Sequence, residues 1–217
     1  MRSAGLVIVS AQGFKPSLPR TLAQPRCRND SRRSIIRRFM SHATAAASHP
    51  AEKFAIRRAA AQDAAAITSI WMEGVRGAHG LEPPPEEQVQ AFFDERIAQQ
   101  TEVFAIWVAI VEARVVGWQG LQPCRPNPIS KMAESSTYVA SDSKARGVGR
   151  ALIAHAQRHA SSVGLQHILG FILVSNLAVI RIVESSGWSR VGALPRAREE
   201  DPEYLYYAYA VPPVPAR

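Results

Sequence analysis

Lys144-Ala145-Arg146-Gly147-Val148-Gly149-Arg150 joins a strand-like run, Ser135 to Ala140, to an apolar-periodic run from Val148 to Val163. A strand, a Gly-containing turn and a helix in that order build an anion site. The first turn of the helix carries N–H groups without intrahelical partners, and its dipole adds about half a positive charge there. Gly147 and Gly149 lack a Cβ where backbone must approach phosphate closely. Lys144, Arg146 and Arg150 add mobile positive charge at the same point, and Leu152, Ile153, Ala156, Ala160 and Val163 give the helix an apolar face to lay on a sheet. A Gly-x-Gly turn alone leaves two readings open, a phosphate cradle and an ordinary turn. It is neither of two common nucleotide loops. No Gly-Lys-Ser/Thr is present to hold a triphosphate and its magnesium, and no third Gly or ribose-binding acid about 20 residues on completes a dinucleotide fingerprint.

Outward from the turn, periodicity sets the other elements. Phe54-Ala55-Ile56-Arg57 reads as a short strand. A helix follows that the Asp63 side chain is placed to cap, with Ile67, Ile70, Trp71 and Val75 on one face. Glu82-Pro83-Pro84-Pro85 breaks the chain, and a second helix runs from Pro85 or Glu86 to about Gln99. Phe104 to Val111 and Val115 to Leu121 form a hairpin about Glu112-Ala113-Arg114. The Pro-rich Pro123 to Pro128 is neither helix nor central strand. Beyond the turn come a strand at His167 to Val174, a helix at Leu177 to Ser186 ended by Gly187, and strands at Trp188 to Ala193 and Tyr204 to Val211. The order β-α-α-β-β-β-α-β-α-β-β predicts an α/β (α+β) fold, a mixed sheet flanked by helices.

With 217 residues, 47% apolar and 20% charged, the chain has the composition of one globular domain. No apolar run approaches the roughly 20 residues of a bilayer span, so a membrane protein is not expected. The net charge of +8 is unevenly spread. Residues 1–51 hold nine Arg or Lys and a single acid, Asp30, whereas residues 52–217 hold 17 of each sign. A nucleic-acid binder carries its charge as a patch on the folded face, which this neutral body lacks. The leader, rich in Arg and Ser, reads as a mitochondrial transit peptide; a disordered tail, or a true start at Met40 in the cytoplasm, are the alternatives. Residues 52–217 are then the working domain. One body cysteine, Cys124, forms no internal disulfide, and the six His are scattered without metal-ligand spacing, so no metal is expected.

Three pieces in order resemble the GNAT superfamily of N-acetyltransferases. Lys144-x-x-Gly147-x-Gly149 is similar to its Arg/Gln-x-x-Gly-x-Gly/Ala motif. Asn176-Leu177-Ala178-Val179-Ile180-Arg181-Ile182-Val183-Glu184-Ser185-Ser186-Gly187-Trp188 resembles its second motif. Glu134-Ser135-Ser136-Thr137-Tyr138-Val139 resembles the strand of the phosphinothricin acetyltransferase-like branch. The resemblance covers about residues 54 to 194 and implies acetyl-CoA as cosubstrate, with residues Lys144 to Arg150, Asn176 and the backbone at Val139 as its binding groups. The departures are Lys144 at the first motif position, Val179 for the usual Ser, and Val183 where a Tyr often protonates the leaving thiolate.

The chemistry implied is direct attack of a neutral amine on the thioester. Glu134 is the matching position for the general base, against a sheet-edge carboxylate paired with Lys131 or Arg125. The N–H near Val139 is the oxyanion donor. Tyr138 shares a face with Glu134 and is either the acid for the thiolate or a core tyrosine. Asn176 either caps its helix or bonds the pantetheine arm. His79, Glu82 and Trp118 are the candidate acceptor contacts. The expected acceptor is a small-molecule or amino-acid-like amine, and a homodimer is compatible. A non-catalytic acyl-CoA-binding module and a protein lysine or N-terminal acetyltransferase are the other readings.

Overall fold

The computed structural model describes residues 7–8, 54–124, 131–143, 147–199 and 201–213. The described residues all belong to one compact unit. Its strands are β1 (Val7–Ile8), β2 (Ala55–Arg58), β3 (Ile106–Val111), β4 (Arg114–Pro123), β5 (Met132–Val139), β6 (His167–Leu173), β7 (Ser189–Leu194) and β8 (Tyr204–Ala210). Its α-helices are α1 (Ala64–Gly74), α2 (Glu86–Ala98), α3 (Val148–Ser162) and α4 (Leu177–Ser185). From β2 onward this is the predicted element order. The sheet runs β2-β3-β4-β5-β6-β8-β7, with β1 pairing β5 off that path. Among the described strands only the β5–β6 pair is parallel, so the sheet is mixed as expected.

Alternation along each strand sends side chains to two cores. Ala133 and Val139 of β5 join Leu121, Leu152, Ile153, Ala156, Val179 and Val183 beneath α3 and α4. Tyr138 of β5 joins Trp118, Ile106, Ile67, Ile70, Val89 and Phe93 beneath α1 and α2. Fully burying side chains of this size stabilises by about 1.5–3 kcal/mol each. On the α3 side the buried Gln119 is satisfied by Ser135, whose Oγ accepts from its Nε2 at 3.0 Å, and by the Thr137 hydroxyl, which donates to its Oε1.

Three local features depart from expectation. Asp63 makes no side-chain cap on α1. Its carboxylate instead accepts from both terminal nitrogens of Arg57, at 2.6 and 2.9 Å, and from the Ala60 N–H at 2.8 Å. A fork-shaped guanidinium matches two carboxylate oxygens at once, and the single N-cap bond is given up for it. β5 starts at Met132 rather than Ser135, which places Glu134 inside the strand. α1 does not stop cleanly but continues as a five-residue π-helical turn, Val75–His79, closed by Gly80 at φ +63°.

Candidate active site

The two central strands part company. β5 and β6 pair only over Met132–His167, Ala133–Ile168 and Glu134–Leu169. Beyond Glu134, β5 stays on β4 through Val139, while β6 stays on β8 through Leu173. A wedge therefore opens between them, and β1 sits on its β5 side, with Val7 opposite Tyr138 and Ile8 opposite Thr137. The Ala140 N–H donates to the Val116 carbonyl at 2.9 Å. Alternation then turns the N–H groups of Thr137 and Val139 away from β4 and toward the wedge. Val139 thus turns its N–H toward the wedge.

Both parting strands feed helices, so two helix N-termini stand at the carboxyl end of the wedge, where open sheets bind ligands. Gly147 leads into α3 at φ +80°, a left-handed conformation that costs a residue with Cβ about 1–2 kcal/mol. Val148 and Gly149 are buried and Arg150 is exposed in the first turn of α3. Lys144, Ala145 and Arg146 lie outside the described residues. The helix is set close to the sheet by Gly117. A Cβ there would lie 2.9 Å from the Tyr138 carbonyl oxygen and 3.2 Å from the Val148 side chain. At the head of α4, Asn176 serves as the cap, its Oδ1 accepting from the Val179 N–H.

Glu134 is 3% exposed, at the last paired position before the strands separate. It lies opposite Gln122 of β4. Arg96, reaching down from α2, donates to the Gln122 side-chain oxygen. Burial lowers the Arg96 pKa, and the Glu134 charge works against that fall. The same charge adds to burial in raising the pKa of the nearby Cys124. The carboxylate therefore lies within electrostatic reach of the half-buried Arg96 guanidinium. Arg125, a sequence candidate for pairing it, lies outside the described residues.

Tyr138 and Trp118 pack together, with ring centroids 4.9 Å apart and planes 12° from parallel. Phe93 of α2 meets Trp118 edge-on at 5.3 Å. Tyr138 is 2% exposed, and burial pushes its hydroxyl far above the ordinary phenol range. Both residues are fixtures of the α1–α2 core, which is the packing alternative weighed for Tyr138. Glu82 is exposed and pairs with Arg76 at 3.4 Å. His79 is differently placed. Its Nδ1 lies 2.9 Å from the Tyr204 hydroxyl, and the two rings stack at 5.9 Å. Burial lowers the imidazole pKa to about 4, so the ring is neutral.

Sequence reasoning misses three participants. Arg96 flanks the apolar stripe of α2 and looks like a surface residue. Gln122 sits next to the Pro-rich stretch with no motif about it. Tyr204 belongs to a tyrosine-rich strand that reads as packing; only its position at the strand's head sets it apart. Val183, at the position where an acid is looked for, is fully buried and aliphatic. His155 and His159 both pack on the Trp107 ring, at 5.3 and 4.5 Å. Among the described residues no group of three His, Cys, Asp or Glu is placed to hold a metal ion. No described helix is long and apolar enough to cross a membrane.

Comparison with known proteins bears on this geometry. Residues 53–189 match the family model for the acetyltransferase (GNAT) domain. A Bacillus subtilis protein, YwnH, assigned provisionally by its name to the phosphinothricin acetyltransferases, is 28% identical over 119 residues, 54% of this chain and 70% of that protein. Among solved structures, a phosphinothricin acetyltransferase of Sinorhizobium meliloti in complex with acetyl-CoA superposes with a TM-score of 0.64. It is 19% identical, over 73% of this chain and 88% of the other. A ribosomal-protein-alanine N-acetyltransferase of Brucella melitensis superposes equally well, with a TM-score of 0.64 and 24% identity, over 72% of this chain and 99% of the other. The fold is shared with both solved structures, and the family match spans well over half the sequence. With its parted central strands and glycine-led α3, the chain belongs to the GNAT acetyltransferase family.

Proposed function

We propose that this acetyltransferase moves the acetyl group of acetyl-CoA to the amine of a small-molecule or amino-acid-like acceptor, by direct attack with Glu134 as general base. The observation that carries the proposal is the place of Glu134, a buried carboxylate at the residue where β5 and β6 separate. Coenzyme A phosphates fit the first turn of α3, which Gly117 holds near β4 and which Gly147 enters in a left-handed turn. The Val139 N–H, facing the wedge, fits the developing oxyanion. In the reaction a C–N bond forms and the C–S bond breaks. The amine proton passes to Glu134, directly or through water, and the departing thiolate must take up one proton. Val183 supplies none.

Mass spectrometry of an amine library incubated with acetyl-CoA and the purified chain tests the reading. N-acetylated products with matching release of CoA thiol support it, and the absence of any product across small amines and peptides defeats it. The buried Val183 favours a second reading, a non-catalytic acyl-CoA-binding module. Acetyl-CoA binding that survives unchanged, with no turnover in either wild type or Glu134→Gln, would select it. The Brucella melitensis protein is, by its name, an N-acetyltransferase for ribosomal-protein alanine. Peptides beginning with alanine belong in the library for that reason. The Arg- and Ser-rich leader supports import into mitochondria, which N-terminal sequencing of the mature chain near Phe39 to Ser41 checks.

A further inference from the structure

We infer that Arg96 is the counter-charge of Glu134: held in place by Gln122, its guanidinium keeps the buried carboxylate ionised and ready to take the amine's proton at neutral pH. The inference rests on the general-base reading above and adds the positioning residue through which that base works.

A base must be unprotonated before it acts, and burial works against that, because a carboxylate taken out of water prefers to hold its proton. Glu134 is 3% exposed, so its charge needs an opposite charge close by. α2 supplies one. Val89, Phe93 and Ile97, four apart, bury one stripe of that helix. Arg96 lies beside the stripe and is half-buried, drawn inward rather than out to water. Its guanidinium carbon stands 5.9 Å from the centroid of the Phe92 ring, one turn back. A terminal nitrogen donates to the Gln122 side-chain oxygen. A guanidinium accepts nothing, so this bond fixes which end of the Gln122 amide faces it. The nitrogen is the other end; it is buried and has no hydrogen-bond partner among the described residues.

Register brings the carboxylate to the same place. Gln122 is directly opposite Glu134 in the antiparallel β4–β5 ladder, so both side chains stand on one face with Cβ atoms about 4.5–5.5 Å apart. The residue that holds the guanidinium is thus the cross-strand neighbour of the base. The electrostatics agree: the Glu134 charge raises the Arg96 pKa against the larger lowering by burial. Such an interaction is mutual, so the same positive charge favours the ionised carboxylate. The other charged and titratable groups on the surrounding elements do not replace it. Glu73 of α1 is turned to the Ser141 N–H at 3.3 Å. Burial raises the pKa of the Cys124 thiol past the end of β4, and that of the Tyr138 hydroxyl farther along β5. Lys131 and His167, at the feet of β5 and β6, are exposed to solvent that screens them. No proton passes through Arg96; it acts on Glu134 by its charge alone.

The test uses the full chain with acetyl-CoA and one amine that it acetylates, and follows kcat at saturating amine against pH. The amine is the same throughout, so a displacement of the acid limb between variants reports the enzyme. Arg96→Met should move that limb upward by roughly one to two pH units, as removing a nearby opposite charge does, with about a tenfold loss of kcat for each unit. Arg96→Lys keeps the charge and should hold the limb within about half a unit of wild type. Gln122→Leu frees the guanidinium and should move the limb part of the way. Arg96→Gln takes the place of Arg96→Met if the methionine variant does not fold. A limb that stays put in the neutral variants, or that moves as far in Arg96→Lys as in Arg96→Met, overturns the inference. A merely structural role would lower kcat at every pH and leave the midpoint alone. Titration of the Glu134 carboxyl by 13C NMR, its signal assigned with Glu134→Gln, separates this inference from the general-base reading. If no amine is acetylated, or if Glu134→Gln is as active as wild type, that reading fails and the carboxyl midpoint decides this one. A rise in Arg96→Met that Arg96→Lys reverses sustains the counter-charge, and equal midpoints in all three chains overturn it.

Discussion

Gly117 lies directly beneath Val148: a methyl group on Gly117 would meet the Val148 side chain at 3.2 Å and the Tyr138 carbonyl oxygen at 2.9 Å. The first residue of α3 therefore rests on the backbone of β4 with no side chain between, and that contact fixes how far the helix N-terminus stands from the wedge. Because the obstacle is backbone on one side and a buried branched side chain on the other, neither gives way easily.

Gly117→Ala should cost about 1–3 kcal/mol in stability, the usual range for overpacking a filled core. It should also tilt or lift α3, so KM for acetyl-CoA should rise by more than KM for the amine. Urea denaturation reads the first effect and initial-rate kinetics the second. A variant as stable as wild type, with both KM values unmoved, would show that the contact does not position the helix.

Glu134→Gln keeps the size and most of the hydrogen bonding of the side chain while removing its proton affinity. A positioned general base contributes about 10²–10⁴ in rate, so kcat should fall within that span. Acetyl-CoA affinity should stay within about threefold, since Glu134 lies on the α1–α2 face of β5 rather than at the α3 turn. Equilibrium dialysis with acetyl-CoA alongside product formation gives both numbers. A kcat within about threefold of wild type would remove Glu134 from the chemistry.

Much of this arrangement is legible in the sequence because each element carries its own period. The apolar face from Leu152 to Ala160 and the Asn176 cap announce α3 and α4 without help from tertiary structure. The start of β5 is not legible. Lys131-Met132-Ala133 shows no alternation, because Ala133 and Glu134 are both buried on this central strand and period-2 patterning fades when both faces are covered. The pairing of His79 with Tyr204 is hidden for another reason, that 125 residues separate them and no motif links a turn after α1 to the head of β8. Asp63 shows the same limit at short range. A helix-capping reading of it is locally sound, yet Arg57, six residues back, competes for both oxygens.

Two groups, the buried Asp63 and the half-buried His79, both make stability fall in acid. The Arg57 guanidinium, with the Ala60 N–H, lowers the Asp63 pKa below its ordinary 3.8. That contribution is complete above 3.8 and is lost as pH falls through the lower folded-state value. His79 acts earlier. Its folded pKa of about 4 lies below the ordinary 6.5, so between those values the unfolded chain binds a proton that the folded chain refuses. Stability should thus fall from pH 6.5 toward 4, by at most about 3 kcal/mol from this group. Urea midpoints from pH 7 to 3 should show the upper decline vanish in His79→Leu and the lower one vanish in Asp63→Asn. Profiles parallel to wild type would refute the assignments.

On the wedge side β5 pairs with β1, Thr137 opposite Ile8 and Tyr138 opposite Val7, and by alternation Thr137 presents its backbone groups to that edge. An extended pantetheine arm, running from the α3 turn into the wedge with two amides along it, would need hydrogen bonds on that same edge. On the proposed placement of acetyl-CoA the two cannot occupy that edge together, and β1 then competes with the cosubstrate. Proline at positions 7 and 8 removes the N–H donors a strand needs and leaves the rest of the chain intact. The full-length Val7→Pro, Ile8→Pro double variant should therefore show a KM for acetyl-CoA severalfold lower than wild type, with kcat unchanged. A mature chain beginning near Ser41, as the transit-peptide reading requires, should match the double variant. If KM is the same in all three, β1 does not guard the wedge, and the N-terminal segment has no part in cosubstrate entry.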